Sequence, residues 1–283
     1  MPNALILSSH VAGSRVGGTV QMLALAQLGI EPMLVPSVLF GRHPGWGPPG
    51  GAATPAEVFE GMLDGLEANG LLERTDLVIT GYLAGPAQVR AAARAIEAVR
   101  TAGRGEGERG PIVVVDPIMG DSDKGLYVSE DSARAIADEL VPRADYLTPN
   151  LWELERLTGR KVKDAAGAAR AARLLGRPTL VSSVLQGAEI GMVYADQGEA
   201  WLAAHARLPA VPRGSGDLLT ALFGAALLEG QPPSFSLARA AGGVAETVAA
   251  AAAARAAELP VLSMGAKLKA ISPGVRIERL PSR

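Results

Sequence analysis

The chain has 283 residues, 48% of them hydrophobic, which is enough for one large core or two small ones. A formal net charge of −2 argues against nucleic-acid or acidic-lipid partners, and the absence of cysteine excludes disulfides, thiolate nucleophiles and cysteine-bound metals. The sequence shows no signal-peptide pattern and no run apolar enough to span a membrane, so we expect a cytoplasmic protein.

Short apolar runs alternate with helical patterns along the chain. The predicted strands are residues 4–7, 33–35, 77–80, 112–115, 146–148 and 179–182. Capping residues or first-turn prolines mark predicted helix starts at Thr54, Pro86, Ser129 and Asp164. This alternation predicts an α/β domain over residues 1–283, with a mostly parallel sheet between helices on both faces. Residues 191–195 and 199–204 flank a turn and predict a small β-hairpin at the sheet edge.

Two glycine-rich segments lie outside this pattern. Residues 41–51, which include His43 and Trp46, have no periodicity and are predicted to form a mobile loop. Residues 105–110 formally match the dinucleotide-binding fingerprint, but they precede a strand and carry two glutamates that would repel pyrophosphate. We therefore predict a solvated loop there.

Polar clusters follow five of the predicted strands. They are Ser8-Ser9-His10, Gly81-Tyr82, Asp116-Pro117, Thr148-Pro149-Asn150 and Ser182-Ser183. Because ligands of open parallel sheets bind at the carboxyl ends of the strands, the clusters predict one site at that edge. The Tyr82 ring could flank a flat ligand there, while Ser9 and His10 hydrogen-bond to its edge. For each of these residues alone, packing or a turn is the alternative.

Residues 214–217, Gly-Ser-Gly-Asp, open an apolar helix that is predicted to end at Gly230. The free N–H groups of such a helix start, with glycines that allow close approach, can hold an anion such as phosphate. Asp217 would repel that phosphate unless it meets a hydroxyl to which the phosphoryl group is transferred, as in a small-molecule kinase. The alternative is an ordinary loop whose Asp stabilises the helix dipole. Because a helix N-terminus favours the ionised carboxylate, we expect Asp217 to be a weak base.

Two further carboxylates are candidates for magnesium. Asp116 follows a very apolar strand and suits Mg²⁺ directly or through water, although Asp-Pro also begins turns. Glu153 with Asn150 matches a plain capping box, and the functional alternative is that Glu153 orders magnesium or its water shell. The three histidines lack metal-ligand spacing, so zinc is not expected.

Taken in order, these motifs resemble those of pyridoxal kinases, members of the ribokinase-like superfamily, over about residues 3–258. The segments that carry the resemblance are SSHV at Ser8, GYL at Gly81, DPIMG at Asp116 with GLYV at Gly125, TPNLWELE at Thr148 and GSGD at Gly214. The resemblance implies a three-layer ribokinase-like fold, usually a homodimer. It also implies transfer of the γ-phosphate of ATP, with Mg²⁺, to the 5′-hydroxymethyl group of pyridoxal and related B6 vitamers, and it leaves a monovalent cation open.

The resemblance also implies a role for individual residues. Asp217 corresponds to the catalytic base, and Gly214, Ser215 and Gly216 to the anion hole. Asp116, Thr148 and Glu153 match positions on the ATP and magnesium side, the two carboxylates being the metal candidates. Ser9 and Tyr82 match positions in the substrate pocket. The 41–51 loop is expected to close over the substrate, which makes His43 and Trp46 further candidates for contact with it.

The chain departs from the family pattern at three places. Pro44-Gly45 stands where some members have a Thr-Gln pair that contacts the vitamer. Ser182 aligns with a Lys of the nucleotide site, and the segment before Gly214 is short, which makes Arg213 a candidate for the missing positive charge. Three alternatives follow: a related kinase for hydroxymethylpyrimidine or a sugar, a non-catalytic B6-binding protein, and a nucleotide-dependent oxidoreductase, which is disfavoured because no glycine fingerprint follows the first strand.

Overall fold

The computed structural model describes residues 1–102, 110–208 and 211–281. Apart from Gly110, the segment 105–110 that was predicted to be a solvated loop lies outside these residues. The strands are β1 (Asn3–Val11), β2 (Glu31–Phe40), β3 (Gly51–Ala53), β4 (Thr75–Thr80), β5 (Ile112–Val115), β6 (Gly120–Asp121), β7 (Gly125–Leu126), β8 (Tyr146–Leu147), β9 (Thr179–Gln186), β10 (Glu189–Ala195), β11 (Ala200–Ala206) and β12 (Arg276–Arg279). The α-helices are α1 (Gly17–Gln27), α2 (Ala56–Ala68), α3 (Pro86–Thr101), α4 (Glu130–Ala135), α5 (Leu151–Thr158), α6 (Ala165–Arg173), α7 (Ser215–Leu228) and α8 (Pro233–Ala254).

Ten of the described strands form one sheet, in the order β12-β11-β10-β9-β8-β5-β4-β1-β2-β3. The neighbours β9, β8, β5, β4, β1 and β2 run parallel to one another. Antiparallel strands extend the sheet on both sides, β3 beside β2 and β10, β11 and β12 beyond β9. Parallel neighbours require crossovers, which the helices supply. β6 and β7 form a separate two-stranded ribbon between β5 and α4.

The sheet is covered on both faces, which confirms the three-layer α/β architecture. Alternation along β1 sends Ala4 and Ile6 into the core shared with α1, α7 and α8, and Leu5 and Leu7 into the core shared with α2, α3 and α4. A third cluster packs α5 and α6 against β9, β10 and β11. Among the described residues no helix is long and apolar enough to cross a bilayer.

Every predicted strand is present, but several are longer than predicted. Ser9 lies inside β1, which continues to Val11 because β2 pairs with it as far as Phe40. Ser182 lies inside β9 for the same reason, since β10 pairs with β9 up to Gln186. These two clusters therefore lie inside longer strands instead of following them.

Two local predictions need correction. The predicted hairpin forms from β10 and β11, but it is not the outermost element, because β12 pairs with β11 on its far side. Thr54 does not cap α2: its hydroxyl donates to the Pro36 carbonyl oxygen at 2.7 Å, and no side chain caps the helix. Ser129, Asn150 and Asp164 do cap their helices.

Candidate active site

Two helix N-termini meet at Asp217. The residue lies in the first turn of α7, and its Oδ2 accepts a hydrogen bond of 2.9 Å from the N–H of Gly17, the first residue of α1. A carboxylate at two helix starts is stabilised by both sets of unpaired N–H groups. The contact joins residues 200 positions apart and fixes the acid at the junction of α1 and α7.

Glycines make this junction possible. Gly214 has φ 91°, and a Cβ at this position would lie 2.3 Å from the carbonyl oxygen of Arg15. Gly17 has φ 56°, and its Cβ would lie 1.9 Å from Ser9 Oγ. Each position therefore requires both a left-handed backbone and the absence of a side chain. Ser9, a predicted substrate residue, is thus in the immediate neighbourhood of the Asp217 contact.

The Asp217 carboxyl has one engaged oxygen and one free oxygen. Oδ1 is buried and has no hydrogen-bond partner among the described residues. Burial raises the pKa of Asp217 to about 6, and the lowering by the N–H groups of Gly17 and of Asp217 itself is smaller. The expectation of a weak base was wrong, because desolvation outweighs the effect of the helix N-terminus.

The amides that precede Asp217 are available to an anion. Ser215 and Gly216 begin α7, and within residues 1–102, 110–208 and 211–281 no acceptor is found for their N–H groups. A Cβ at Gly216 would meet no heavy atom within 4 Å, so the approach to this helix start is open. This is the geometry expected of an anion hole.

A chain of hydroxyls links the helix to the strand ends. Thr220 Oγ1 donates to Asp116 Oδ2 at 3.1 Å and lies 2.9 Å from Thr148 Oγ1. Asp116, Thr148 and Thr220 are all buried. Thr220 lies three residues after Asp217, on the same side of α7. The structure therefore brings the predicted Asp116 and Thr148 together through a residue that sequence analysis missed.

Glu153 is almost fully buried and forms the predicted capping box. Its Oε2 accepts from the N–H of Asn150 at 2.9 Å, and its Oε1 accepts from Met119 at 2.8 Å and more weakly from Gly120. Burial nevertheless raises the pKa of Glu153 to about 7, against the lowering by these three N–H groups. The side chain holds the start of α5 against the segment that follows Asp116.

Three carboxylates share this region. Burial raises the pKa of Asp116 well above its usual value, and the charges of Glu153 and Asp217 raise it further. Such mutual repulsion is what a bound cation relieves. No group of three or more His, Asp or Glu side chains that could hold a metal occurs in the described parts of the chain. The donor set fits Mg²⁺, which is commonly held by one or two carboxylates together with substrate phosphates and water.

The 41–51 loop lies next to the start of α7. His43 accepts a hydrogen bond from the Gly45 N–H, and a Cβ at Gly45 would lie 3.0 Å from the Arg213 guanidinium. Burial lowers the pKa of His43, and the charges of Arg213 and Lys124 lower it further. Lys124 lies in the turn between β6 and β7. The 41–51 loop, the β6–β7 ribbon and the residue before Gly214 therefore lie close to one another.

The remaining predicted residues line the same edge less directly. Tyr82 is half-buried, and its carbonyl oxygen accepts from Ser37 Oγ. Trp46 is 44% exposed and makes an edge contact with His43, at 6.4 Å between ring centroids. Ser182 continues the strand ladder by a bridge to Asn150, and its N–H donates to the Pro149 carbonyl oxygen at 3.0 Å.

Comparison with known proteins identifies the family. The family described as phosphomethylpyrimidine kinase matches residues 80–262. A pyridoxine/pyridoxal/pyridoxamine kinase of Bordetella avium is 38% identical over 234 residues, which are 79% of this chain and 77% of the relative. The chain belongs to the pyridoxal kinase family. A pyridoxal kinase of Corynebacterium diphtheriae is 31% identical over 87% of this chain and 88% of its own.

Solved pyridoxal kinase structures share the fold over nearly the whole chain. Pyridoxal kinase from Leishmania donovani in complex with ADP superposes with a TM-score of 0.91 at 25% identity, covering 99% of both chains. The complex of that enzyme with ADP and pyridoxamine gives a TM-score of 0.90 at 26% identity, covering 99% of this chain and 100% of the other. The chain is therefore a kinase with the ribokinase-like architecture.

Two residues that contact the candidate site residues of this pyridoxal kinase family member, Thr220 and Gly17, were not predicted from the sequence. Thr220 could have been found from its position one helical turn after Asp217. Gly17 carried a weak signal, since it belongs to a Gly-Gly pair that begins a helix without a capping side chain. Asn150 was predicted both as a cap and as part of a polar cluster, and its Nδ2 also donates to the Gly120 carbonyl oxygen at 2.8 Å and thereby ties the β6–β7 ribbon to α5.

Proposed function

We propose that this chain transfers the γ-phosphate of ATP to the 5′-hydroxymethyl group of pyridoxal and of related B6 vitamers. The observation that carries the proposal is the unpartnered, buried Oδ1 of Asp217 beside the unpaired amides of Ser215 and Gly216. A substrate hydroxyl that donates to Oδ1 would lie next to a phosphoryl group held by those amides. The relatives' activity on B6 vitamers supports the choice of acceptor.

In this mechanism Asp217 orients the acceptor hydroxyl and receives its proton. With a pKa of about 6 the carboxyl is mostly ionised at neutral pH, yet basic enough to take a proton that is released late. Phosphoryl transfer has a loose transition state, so the position of the hydroxyl matters more than the strength of the base. The amides of Ser215 and Gly216 stabilise charge on the migrating group.

Asp116 and Thr148 are proposed to face the cations that accompany ATP. An ionised Asp116 can only accept hydrogen bonds, so the Thr220 hydroxyl must donate its proton to Asp116. The Thr148 hydroxyl must then donate its own proton to the Thr220 oxygen. The Thr148 hydroxyl then offers only lone pairs to a ligand, which suits a metal ion, monovalent or divalent, and not a phosphate oxygen. Bound Mg²⁺ would neutralise phosphate charge, with Asp116 as its direct ligand.

Glu153 is proposed to act on the metal side mainly through the backbone. Because both of its oxygens already accept from N–H groups, it orders the segment that follows Asp116 and adds negative charge near the metal. Arg213 is proposed to supply the positive charge that Ser182 lacks. Its guanidinium lies against the 41–51 loop, from which His43 and Trp46 are proposed to contact the vitamer together with Ser9 and Tyr82.

A second acceptor is supported by the family match. The family that matches residues 80–262 is described by its phosphomethylpyrimidine kinases, whose name indicates a different heterocyclic acceptor. Phosphomethylpyrimidine itself would present a phosphate oxygen, whereas its unphosphorylated form, hydroxymethylpyrimidine, would present a hydroxymethyl group to Asp217, as a B6 vitamer would. We also propose a single kinase domain over residues 1–283, a homodimer and a cytoplasmic location.

The test is transfer of labelled phosphate from ATP to pyridoxal, pyridoxine, pyridoxamine and hydroxymethylpyrimidine, measured in parallel with Mg²⁺ present. We expect the B6 vitamers to be phosphorylated with higher kcat/KM than hydroxymethylpyrimidine. Preference for hydroxymethylpyrimidine would favour the second acceptor. Binding of pyridoxal without consumption of ATP would contradict the kinase proposal.

A further inference from the structure

Glu258, far from the reacting groups in sequence and outside every predicted motif, contacts the back of the candidate active site. Its Oε2 accepts a hydrogen bond of 2.7 Å from the backbone N–H of Arg15, 243 residues away. Its Oε1 is buried and has no hydrogen-bond partner among the described residues. The residue as a whole is only partly buried, and the hydrogen bond to Arg15 ties its carboxylate to the segment that leads into α1.

The residue that Glu258 holds is adjacent to both halves of the phosphoryl site. A Cβ added at Gly214 would lie only 2.3 Å from the Arg15 carbonyl oxygen. The Arg15 backbone therefore packs directly on the first residue of the anion hole. Two residues later, the N–H of Gly17 donates to Asp217 Oδ2. A shift of the Arg15 backbone would therefore move the anion-hole glycine and the partner of the catalytic acid together.

The segment that carries Glu258 is itself fixed. Leu259 and Val261 are fully buried in the core shared with α1 and α7. The side chain of Gln27, at the end of α1, donates to the Val261 carbonyl oxygen at 2.8 Å. The same stretch of chain thus supports α1 at its end, through Val261, and just before its start, through Glu258.

We propose that Glu258 is a positioning residue for phosphoryl transfer, which holds the Arg15 backbone so that Gly214 and Gly17 present their groups to the reaction. The hydrogen bond to the N–H is the active element, so length and an acceptor oxygen matter and negative charge does not. Misplacement of reacting groups by a fraction of an ångström to 1 Å reduces rates by up to about 100-fold. The inference rests on the proposed kinase function for its kinetic readout.

The experiment compares three substitutions. Glu258→Gln keeps the length and a carbonyl acceptor, Glu258→Asp keeps the charge but is one methylene shorter, and Glu258→Ala removes both. We expect kcat with ATP and pyridoxal to stay within about threefold for Gln and to fall roughly tenfold or more for Asp and Ala, with smaller changes in KM. A low kcat in the Gln variant with normal kcat in the Asp variant would overturn the proposal.

Glu246→Ala is the matched control. Its Oε1 accepts from Ser272 Oγ at 2.7 Å on the same C-terminal part of the chain, with no contact to Arg15. We expect this variant to lose thermal stability without loss of kcat. If Glu258→Ala behaves in the same way, Glu258 is only structural and the inference fails.

Hydrogen exchange gives a readout that does not need activity. In Glu258→Asp the amides of residues 12–18 and 211–218 should exchange faster than in the wild type, while Glu246→Ala should leave them unchanged. Unchanged exchange in Glu258→Asp would contradict the inference. A wild-type protein that is inactive on every vitamer would contradict the proposed function alone, because the exchange measurement does not depend on activity.

Discussion

Thr220 Oγ1 lies 3.1 Å from Asp116 Oδ2, so the helix that carries Asp217 also holds the Asp116 carboxylate. The same oxygen is 2.9 Å from Thr148 Oγ1. A single buried hydroxyl therefore links the helix that begins with the GSGD motif to Asp116 and Thr148. The hydrogen bond from Thr220 also lowers the pKa of Asp116, against the larger raising effect of burial.

Removal of that hydroxyl should impair metal binding. In Thr220→Val, Asp116 and Thr148 lose their shared partner, and unsatisfied buried groups cost about 1–3 kcal/mol of the free energy of unfolding. The pKa of Asp116 rises further, so we expect the Mg²⁺ concentration for half-maximal activity to rise about tenfold, equivalent to about 1.4 kcal/mol. Thr220→Ser, which keeps the hydroxyl, is the control and should stay close to the wild type. Equal Mg²⁺ dependence in all three proteins would contradict the role of Thr220.

Loss of the Asp217 carboxylate should reduce turnover and leave ATP binding intact. Asp217→Asn keeps the shape and an oxygen for the Gly17 N–H, but it cannot take a proton. We expect kcat to fall roughly 10²–10⁴-fold, the usual scale for a general base. Steady-state kinetics with a direct measurement of ATP affinity checks this. Turnover near the wild-type value would remove Asp217 from the proposed mechanism.

The same substitution should stabilise the protein at neutral pH. The folded pKa of Asp217, about 6, lies above the usual aspartate value of 3.8, so folding favours the protonated form. The stabilising contribution is therefore complete below about pH 4 and is lost as the pH rises through 6. Without ligands, Asp217→Asn should melt at a higher temperature than the wild type at pH 7.5, and the difference should shrink towards pH 4.5. The exposed Asp138→Asn serves as control, and a difference that does not change with pH would contradict the burial argument.

Two glycines of the same motif should respond differently to alanine. Gly214→Ala meets both the positive φ and the 2.3 Å contact with the Arg15 carbonyl oxygen, so we expect a loss of about 2 kcal/mol in the free energy of unfolding. Gly216→Ala has free space and lies within α7, where Ala is favoured, so its stability should be unchanged or higher. Denaturant unfolding of both variants makes the comparison. Equal losses would show that the Arg15 contact does not constrain residue 214.

Local signals in the sequence were sufficient for much of the fold. Apolar runs located every predicted strand, and Ser129, Asn150 and Asp164 located helix starts, because side-chain caps and strand burial depend on near neighbours. The prediction for Thr54 was wrong, because its hydroxyl donates to the Pro36 carbonyl oxygen in β2. Strand β12 was not predicted, since its pairing with β11 is determined by the distant sheet edge.

The candidate site residues were found from the sequence, but the contacts that connect them were not. Asp116, Asp217 and Thr148 were identified because strand ends and a glycine-rich helix start leave recognisable patterns. The contacts from Gly17 and Glu258 were not, because they join residues more than 190 positions apart through the backbone. The pKa of Asp217 was mispredicted for the same reason: the burial that raises it comes from packing against α1.

The charged strand β12 has a consequence for self-association. It covers the hydrogen-bonding edge of β11 with the sequence Arg-Ile-Glu-Arg, and the Arg279 guanidinium lies over the Trp201 ring. The opposite border of the sheet is β3, only three residues long. Short or charged edge strands discourage pairing between the sheets of two molecules and the fibrous aggregation that such pairing leads to. Two copies that pair in solution would therefore have to meet through helical or loop surfaces, and growth into open-ended assemblies is disfavoured at both ends of the sheet.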